Sequence, residues 1–218
     1  MKLHFLPGLG FDYRIFQNLN LLDFECIYVD WIDPLDKNES LVSYAKRLSE
    51  QVETDISPTM LIGHSLGGIL ALEISKILSV KKVILISSIR SRKELPQHFK
   101  IVNPLRLDRF FTKEMGKKTL PLWGKYHDYV SKEEQILFKS MIGQQSNLYL
   151  QWALRQLSIW NPKDEFPTNI IQIHGDKDRT FPSKLIQQAN FIVKGGGHFM
   201  VYKEAATLNS MLKKVSQK

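Results

Sequence analysis

Residues 59–78 constrain this chain more tightly than any other stretch. The short apolar run Thr59-Met60-Leu61-Ile62 leads directly into Gly63-His64-Ser65-Leu66-Gly67, and Ile69, Leu70, Leu72, Ile74, Ile77 and Leu78 then recur at helical spacing. A strand that turns at once into a helix needs a bend too tight for Cβ atoms, and glycines two before and two after the serine keep side chains out of it. The serine at the apex is pushed outward, so the pattern specifies a strand–turn–helix unit and an accessible hydroxyl together. Pro58 marks where the strand opens.

Six runs of β type are spread along the chain: Leu3 to Leu6, Cys26 to Val29, Met60 to Ile62, Val83 to Ile86, Ile170 to Ile173 and Phe191 to Val193. Helical patterns fall between most of them, over Ser40 to Val52, Ser65 to Leu78, Ser183 to Gln188 and Glu204 to Val215, with a short helix over Tyr13 to Leu19 that Asp12 caps. Strands that alternate with helices and read as continuous apolar runs belong to a parallel sheet covered on both faces. The expected class is α/β. One interval breaks the rhythm, because residues 89–168 far exceed the roughly 30 residues of a plain crossover. It holds Phe99, Phe110, Phe111, Trp123, Tyr126, Tyr129, Phe138, Tyr149, Trp152 and Trp160, and Glu133 to Ser146 and Leu148 to Ile159 have helical spacing. Taken singly, each aromatic reads as core packing. Together they give the expectation of a helical cap insertion over 89–168 on a core of 1–88 and 169–218, placed to cover a site.

The chain has 218 residues, 43% of them apolar, which suits one domain with its own core. Cys26 is the single cysteine, so no intrachain disulfide can form, which fits a reducing compartment. The first apolar run is too short for a signal segment and no stretch approaches the length of a membrane span, so the expectation is a cytoplasmic protein without a transmembrane helix. The net charge of +8 comes from Lys and Arg scattered from Lys2 to Lys218, without zinc spacing or a basic aromatic segment, and points away from nucleic acid. Arg90, Arg92, Lys93, Arg106 and Arg109 could face the mouth of a site and favour acidic acyl carriers, or form an ordinary solvated face.

A serine hydroxyl is a weak nucleophile near neutral pH and needs a base to take its proton and a third group to orient that base. His198, in Gly195-Gly196-Gly197-His198-Phe199 just beyond the last strand, is the best base. Loops at the carboxyl ends of strands are where α/β sheets gather functional groups. Asp178, in Gly175-Asp176-Lys177-Asp178 after the preceding strand, is the favoured acid, with Asp176 its rival because sequence alone cannot aim two carboxylates in one loop. Either could instead cap the next helix, although Ser183 after Pro182 is placed to open it. His64, inside the turn, reads as a packing or hydrogen-bonding residue. A metal site at His174, Asp176 and Asp178 lacks a second ligand pair at suitable spacing, so neither metal nor other cofactor is expected.

Pro7-Gly8-Leu9-Gly10, Gly63-His64-Ser65-Leu66-Gly67-Gly68, Gly175-Asp176-Lys177-Asp178 with Phe181-Pro182, and Gly197-His198 together resemble the α/β-hydrolase superfamily over nearly the whole chain. The resemblance implies Ser65, Asp178 and His198 as nucleophile, acid and base, since the family's acid lies three positions beyond the loop glycine and Ser87-Ser88 occupy the alternative place for it. It also implies an oxyanion hole from the backbone N–H groups of Leu9 and Leu66, although the family usually writes His-Gly where this chain has Pro7-Gly8. The chain starts at what resembles the family's third strand, so the expected sheet is six-stranded and parallel. The implied activity is cleavage of a small-molecule carboxylic ester or thioester through an acyl-enzyme. Carbon–carbon cleavage, elimination or acyl transfer by the same residues, and a relative that binds ligand without turnover, stay open.

Overall fold

Six of the apolar runs pair into a single sheet in the computed structural model, which describes residues 1–54, 57–126, 131–163 and 165–216. The strands are β1 (Lys2–Leu6), β2 (Glu25–Tyr28), β3 (Thr59–His64), β4 (Lys82–Ile86), β5 (Asn169–Gly175) and β6 (Phe191–Val193). They lie in the order β2-β1-β3-β4-β5-β6, and every neighbouring pair is parallel. Leu61 stands between His4 of β1 and Val83 of β4. β1, β3 and β4 are buried at every position, including the polar Lys2 and His4 of β1, whereas the edge strand β2 is exposed at both its ends. From β1 the chain moves outward to β2 and then returns to β3 on the other side, a reversal of strand order that opens a crevice at the carboxyl ends of β1 and β3.

Helices α1 (Leu41–Leu48) and α2 (Leu66–Ser75) flank β3 in sequence, and all ten residues of α2 are buried. The expected helix over 13–19 is one 3₁₀ turn, Tyr13–Phe16, capped by the Asp12 carboxylate accepting from the Arg14 N–H at 3.0 Å. The expected helix over 183–188 is also a 3₁₀ turn, Ser183–Leu185: Ile186 is already extended, because the chain must rejoin the sheet edge at Phe191 within a few residues. The expected helix over 204–215 is α8 (Ala205–Ser216), and Glu204 separates it from a further short helix, α7 (Met200–Lys203), that the pattern does not anticipate.

Among the described residues, the interval between β4 and β5 contains four α-helices, α3 (Gln97–Lys100), α4 (Lys113–Tyr126), α5 (Lys132–Gln144) and α6 (Asn147–Ile159), of which the sequence pattern anticipates only the last two. α4 escapes because Gly116 and Pro121 interrupt its spacing. Tyr129 lies outside the described residues. α6 is tied to the core by two buried indoles: Trp152 Nε1 donates to the Glu39 carbonyl at 2.8 Å, and Trp160 Nε1 donates to Glu73 Oε1 at 2.8 Å. α5 meets the core through Arg14, which donates to Ser140 Oγ at 2.8 Å. Among the described residues, no helix is long and apolar enough to cross a membrane.

Candidate active site

The turn after β3 is shaped by close approaches that exclude side chains. A Cβ on Gly63 would lie 2.3 Å from Gly68 Cα, and one on Gly67 would lie 2.2 Å from the carbonyl oxygens of Leu6 and Pro7. Ser65 therefore takes the strain of the bend, with φ 53° and ψ −121°, a conformation that residues bearing Cβ rarely adopt. Its N–H donates to Ile86 O at 3.0 Å, and its carbonyl accepts from Ser88 Oγ at 2.6 Å, so β4 and the residues beyond it brace the apex.

The loop after β6 turns at Gly195, φ 78°, and delivers His198 to the same rim of the sheet. His198 Nε2 lies 3.0 Å from Ser65 Oγ, and His198 Nδ1 lies 2.9 Å from Asp178 Oδ2. An ionised carboxylate only accepts, so Nδ1–H donates to Asp178, leaving Nε2 to accept the Ser65 hydroxyl proton. The other oxygen, Asp178 Oδ1, accepts from the N–H groups of Thr180 at 2.8 Å and Phe181 at 2.9 Å. Burial pushes the Asp178 carboxyl up, but the charge and hydrogen bond of His198, with His174 and the Phe181 N–H, hold it below the ordinary carboxylate value. Asp176 points elsewhere: it accepts from the Gly195 N–H at 2.7 Å and so braces the histidine loop.

Two further histidines line this framework. His64 Nε2 donates to the His198 carbonyl at 2.9 Å, and burial, helped by His198, drives its pKa down to about 3, so the ring is neutral. His174 Nε2 donates to Phe181 O at 2.7 Å and sits 3.5 Å from Asp178 Oδ2; burial outweighs that carboxylate and lowers its pKa. Both rings are committed to holding loops. Among the described residues, no three His, Cys, Asp or Glu side chains are grouped to hold a metal ion.

Ser65 and His198 open onto a cavity of about 330 Å³ whose wall comes from the loop after β1, through Leu9 and Phe11, and from the interval between β4 and β5. Leu66 opens α2, so its N–H belongs to the first turn, where no intrahelical acceptor exists. Leu9 borders the cavity beside Ser65. Apart from Ser65, Thr180 and His198 the lining is apolar or glycine. None of Arg90, Arg92, Lys93, Arg106 and Arg109 reaches it. Arg90 is spent on Asn190 Oδ1 at 2.9 Å, and Arg92 on Ser158 O at 2.7 Å. The aromatic count of the interval hinted at Phe99, Phe111 and Phe138 in this wall; nothing in the sequence singled out Met115, Gly116 or Ile142.

The family model described as "Alpha/beta hydrolase family" matches residues 5–209. No curated protein matches the chain. Among solved structures, MenH from S. aureus is 18% identical with a TM-score of 0.74, covering 100% of this chain and 95% of that one. A lipase-esterase related protein from Clostridium acetobutylicum is 15% identical with a TM-score of 0.72, covering 98% and 93%. An epoxide hydrolase from Bacillus megaterium is 12% identical with a TM-score of 0.73, covering 100% and 93%. At these identities the likeness is one of fold.

Proposed function

The chain belongs to the alpha/beta hydrolase family, and from that premise we propose that it is a serine hydrolase cleaving a carboxylic ester or thioester through an acyl-enzyme intermediate. The observation that carries the proposal is the 3.0 Å contact between Ser65 Oγ and His198 Nε2 at the mouth of an apolar cavity. In this reading Ser65 Oγ attacks the acyl carbonyl while His198 Nε2 takes its proton. Asp178 stabilises the imidazolium and fixes its tautomer. The N–H groups of Leu9 and Leu66 receive the oxyanion of the tetrahedral intermediate, where dipole and unpaired donors at a helix N-terminus favour negative charge. His198 returns the proton to the departing alcohol or thiol, and the acyl group stays on Ser65. Water then attacks the acyl carbon as His198 takes its proton, and His198 returns that proton to Ser65 Oγ as the acyl–oxygen bond breaks and the carboxylic acid leaves. The helical interval 89–168 acts as a cap over this chemistry.

The test is turnover of p-nitrophenyl esters and acyl thioesters by the wild-type protein beside Ser65→Ala and His198→Ala. Each substitution should reduce kcat/KM by at least about a thousandfold. Wild-type turnover in Ser65→Ala would overturn the mechanism, and products other than the carboxylic acid would assign the same residues to a different reaction.

A further inference from the structure

Part of the cavity wall is built where α4 and α5 come together. The two helices interlock reciprocally: a Cβ on Gly116 of α4 would lie 2.3 Å from Ile142 Cδ1, and a Cβ on Gly143 of α5 would lie 2.7 Å from Lys117 Nζ. Each glycine gives up its own side chain to admit one from the facing helix. The two contacts differ in consequence, since Lys117 can swing its flexible end away, whereas Ile142 is buried at 1% exposure. The loop that carries Leu9 passes nearby, since a Cβ on Gly10 would lie 3.8 Å from both Ile142 Cδ1 and Cγ1. Gly116 and Ile142 both line the cavity. The side chain of Ile142 thus fills the space that the missing Cβ at position 116 leaves on α4, at the wall of the cavity.

The contents of that cavity follow from its lining. The polar side chains are Ser65, Thr180 and His198, and no charged side chain lines it among the described residues. A carboxylate or phosphate on the acyl chain would be buried without a partner there, at a cost of several kcal/mol, despite a net charge of +8 on the molecule as a whole. At about 330 Å³ the cavity lies at the small end of the range of ligand pockets. We propose that the site takes esters or thioesters of uncharged acyl groups of medium length, octanoyl in preference to acetyl or lauroyl, and that the Gly116–Ile142 contact sets this length. This rests on the serine hydrolase reading and names its substrate class.

The contact geometry gives a test in which the rescuing change is known beforehand. In Gly116→Ala the new methyl meets Ile142 Cδ1, so Ile142 must shift, and the proposal requires that it shift into the cavity it lines and shorten it. Ile142 Cγ1 would lie 3.5 Å from that methyl, an ordinary contact, so Gly116→Ala combined with Ile142→Val removes the colliding atom alone. The measurement is kcat/KM for p-nitrophenyl acetate, butyrate, octanoate and laurate, with a p-nitrophenyl hemiester of a dicarboxylic acid as the charged comparison, and a thermal melt for every variant. The ratio of octanoate to acetate kcat/KM should fall about tenfold in Gly116→Ala, the scale of one misplaced methylene in an apolar pocket, and return towards the wild-type ratio in the double variant. The hemiester should be the poorest substrate of its length. An unchanged ratio in Gly116→Ala, a ratio that Ile142→Val does not restore, or a preference for the charged ester would overturn the proposal. Labelling of Ser65 by a fluorophosphonate separates the two readings: labelled protein with a flat chain-length profile defeats this inference alone, whereas protein that neither labels nor turns over esters defeats the hydrolase reading beneath it.

Discussion

Ser65 stores strain that its neighbours impose, and the strain can be measured apart from the chemistry. Removing the hydroxyl in Ser65→Ala leaves a Cβ in the same disfavoured backbone region, whereas Ser65→Gly removes both. Strain of this kind is worth about 1–3 kcal/mol. Against it stands the extra unfolded-state entropy of glycine, about 0.5–1 kcal/mol. The strain is the larger quantity, so Ser65→Gly should melt a few degrees above Ser65→Ala, at roughly 2–4 °C per kcal/mol for a chain of this size. Equal melting temperatures, or a lower one for glycine, would show that the turn is not strained at residue 65. The position was legible in the sequence for the same reason that it is strained: a bend that tight leaves glycines around it. Asp178 and Asp176 were harder to separate, because both lie in one loop and only the coordinates show one accepting from His198 and the other from the Gly195 N–H. Gly116 was not legible at all, since its significance lies in Ile142 on a different helix.

Elements that answer to local pattern were readable, and those governed by distant contacts were not. α2, buried on all sides, and α5, opened by a Ser131–Glu134 capping box, carry their signals within themselves. The 3₁₀ turn at Ser183–Leu185 and the division at Glu204 are set by where the chain must go next. The attachment of α6 is a case of the second kind. Glu39, just before α1, is buried to 7% exposure; its carboxylate accepts from the Leu35 N–H at 2.7 Å, Ser43 Oγ at 3.0 Å and Arg47 Nη2 at 2.8 Å. Its carbonyl meanwhile accepts from Trp152 Nε1 at 2.8 Å and Gln156 Nε2 at 3.1 Å, both on α6. Burial pushes the Glu39 carboxyl up, but Arg47 and the neighbouring donors bring it below its ordinary value, so the ion is the stable form in place. Glu39→Gln keeps the shape and removes the charge, leaving Arg47 and the Leu35 N–H with poorer acceptors. The expected cost is about 1.5–3 kcal/mol, read as a melting temperature lower by several degrees at neutral pH. An unchanged melt would mean that packing alone fixes this corner of α6.

At the scale of the molecule, the parallel class followed from buried apolar runs, but the order β2-β1-β3-β4-β5-β6 depends on pairings between strands remote in sequence, and the cavity on segments that meet only when folded. A further property belongs to the whole chain, because three histidines in separate elements are folded in as neutral rings. His64 has its pKa driven down to about 3 by burial and by His198. Burial lowers His174 against the pull of Asp178, and lowers His4 against that of Glu53, with Lys2 adding to the burial. In the unfolded chain each titrates near its ordinary value of 6.5. Below that pH the unfolded state therefore binds protons that the folded state refuses, and acid favours unfolding. The stability is fully present above about pH 6.5 and falls as pH drops towards each folded value, for His64 at ~1.4 kcal/mol per pH unit. His64 alone accounts for about 2 kcal/mol by pH 5. Asp178 acts lower on the scale: its carboxyl is held below the ordinary 3.8, so its contribution is present above that value and lost as pH falls further. Melting temperatures should accordingly be level from about pH 8 to 6.5 and decline steadily below. His64→Gln can still donate to the His198 carbonyl but cannot titrate, so its decline should be shallower by about one proton in the linkage slope. A wild-type melt that stays level down to pH 5, or a His64→Gln slope equal to that of the wild type, would show that the buried ring at position 64 is not held neutral by the fold.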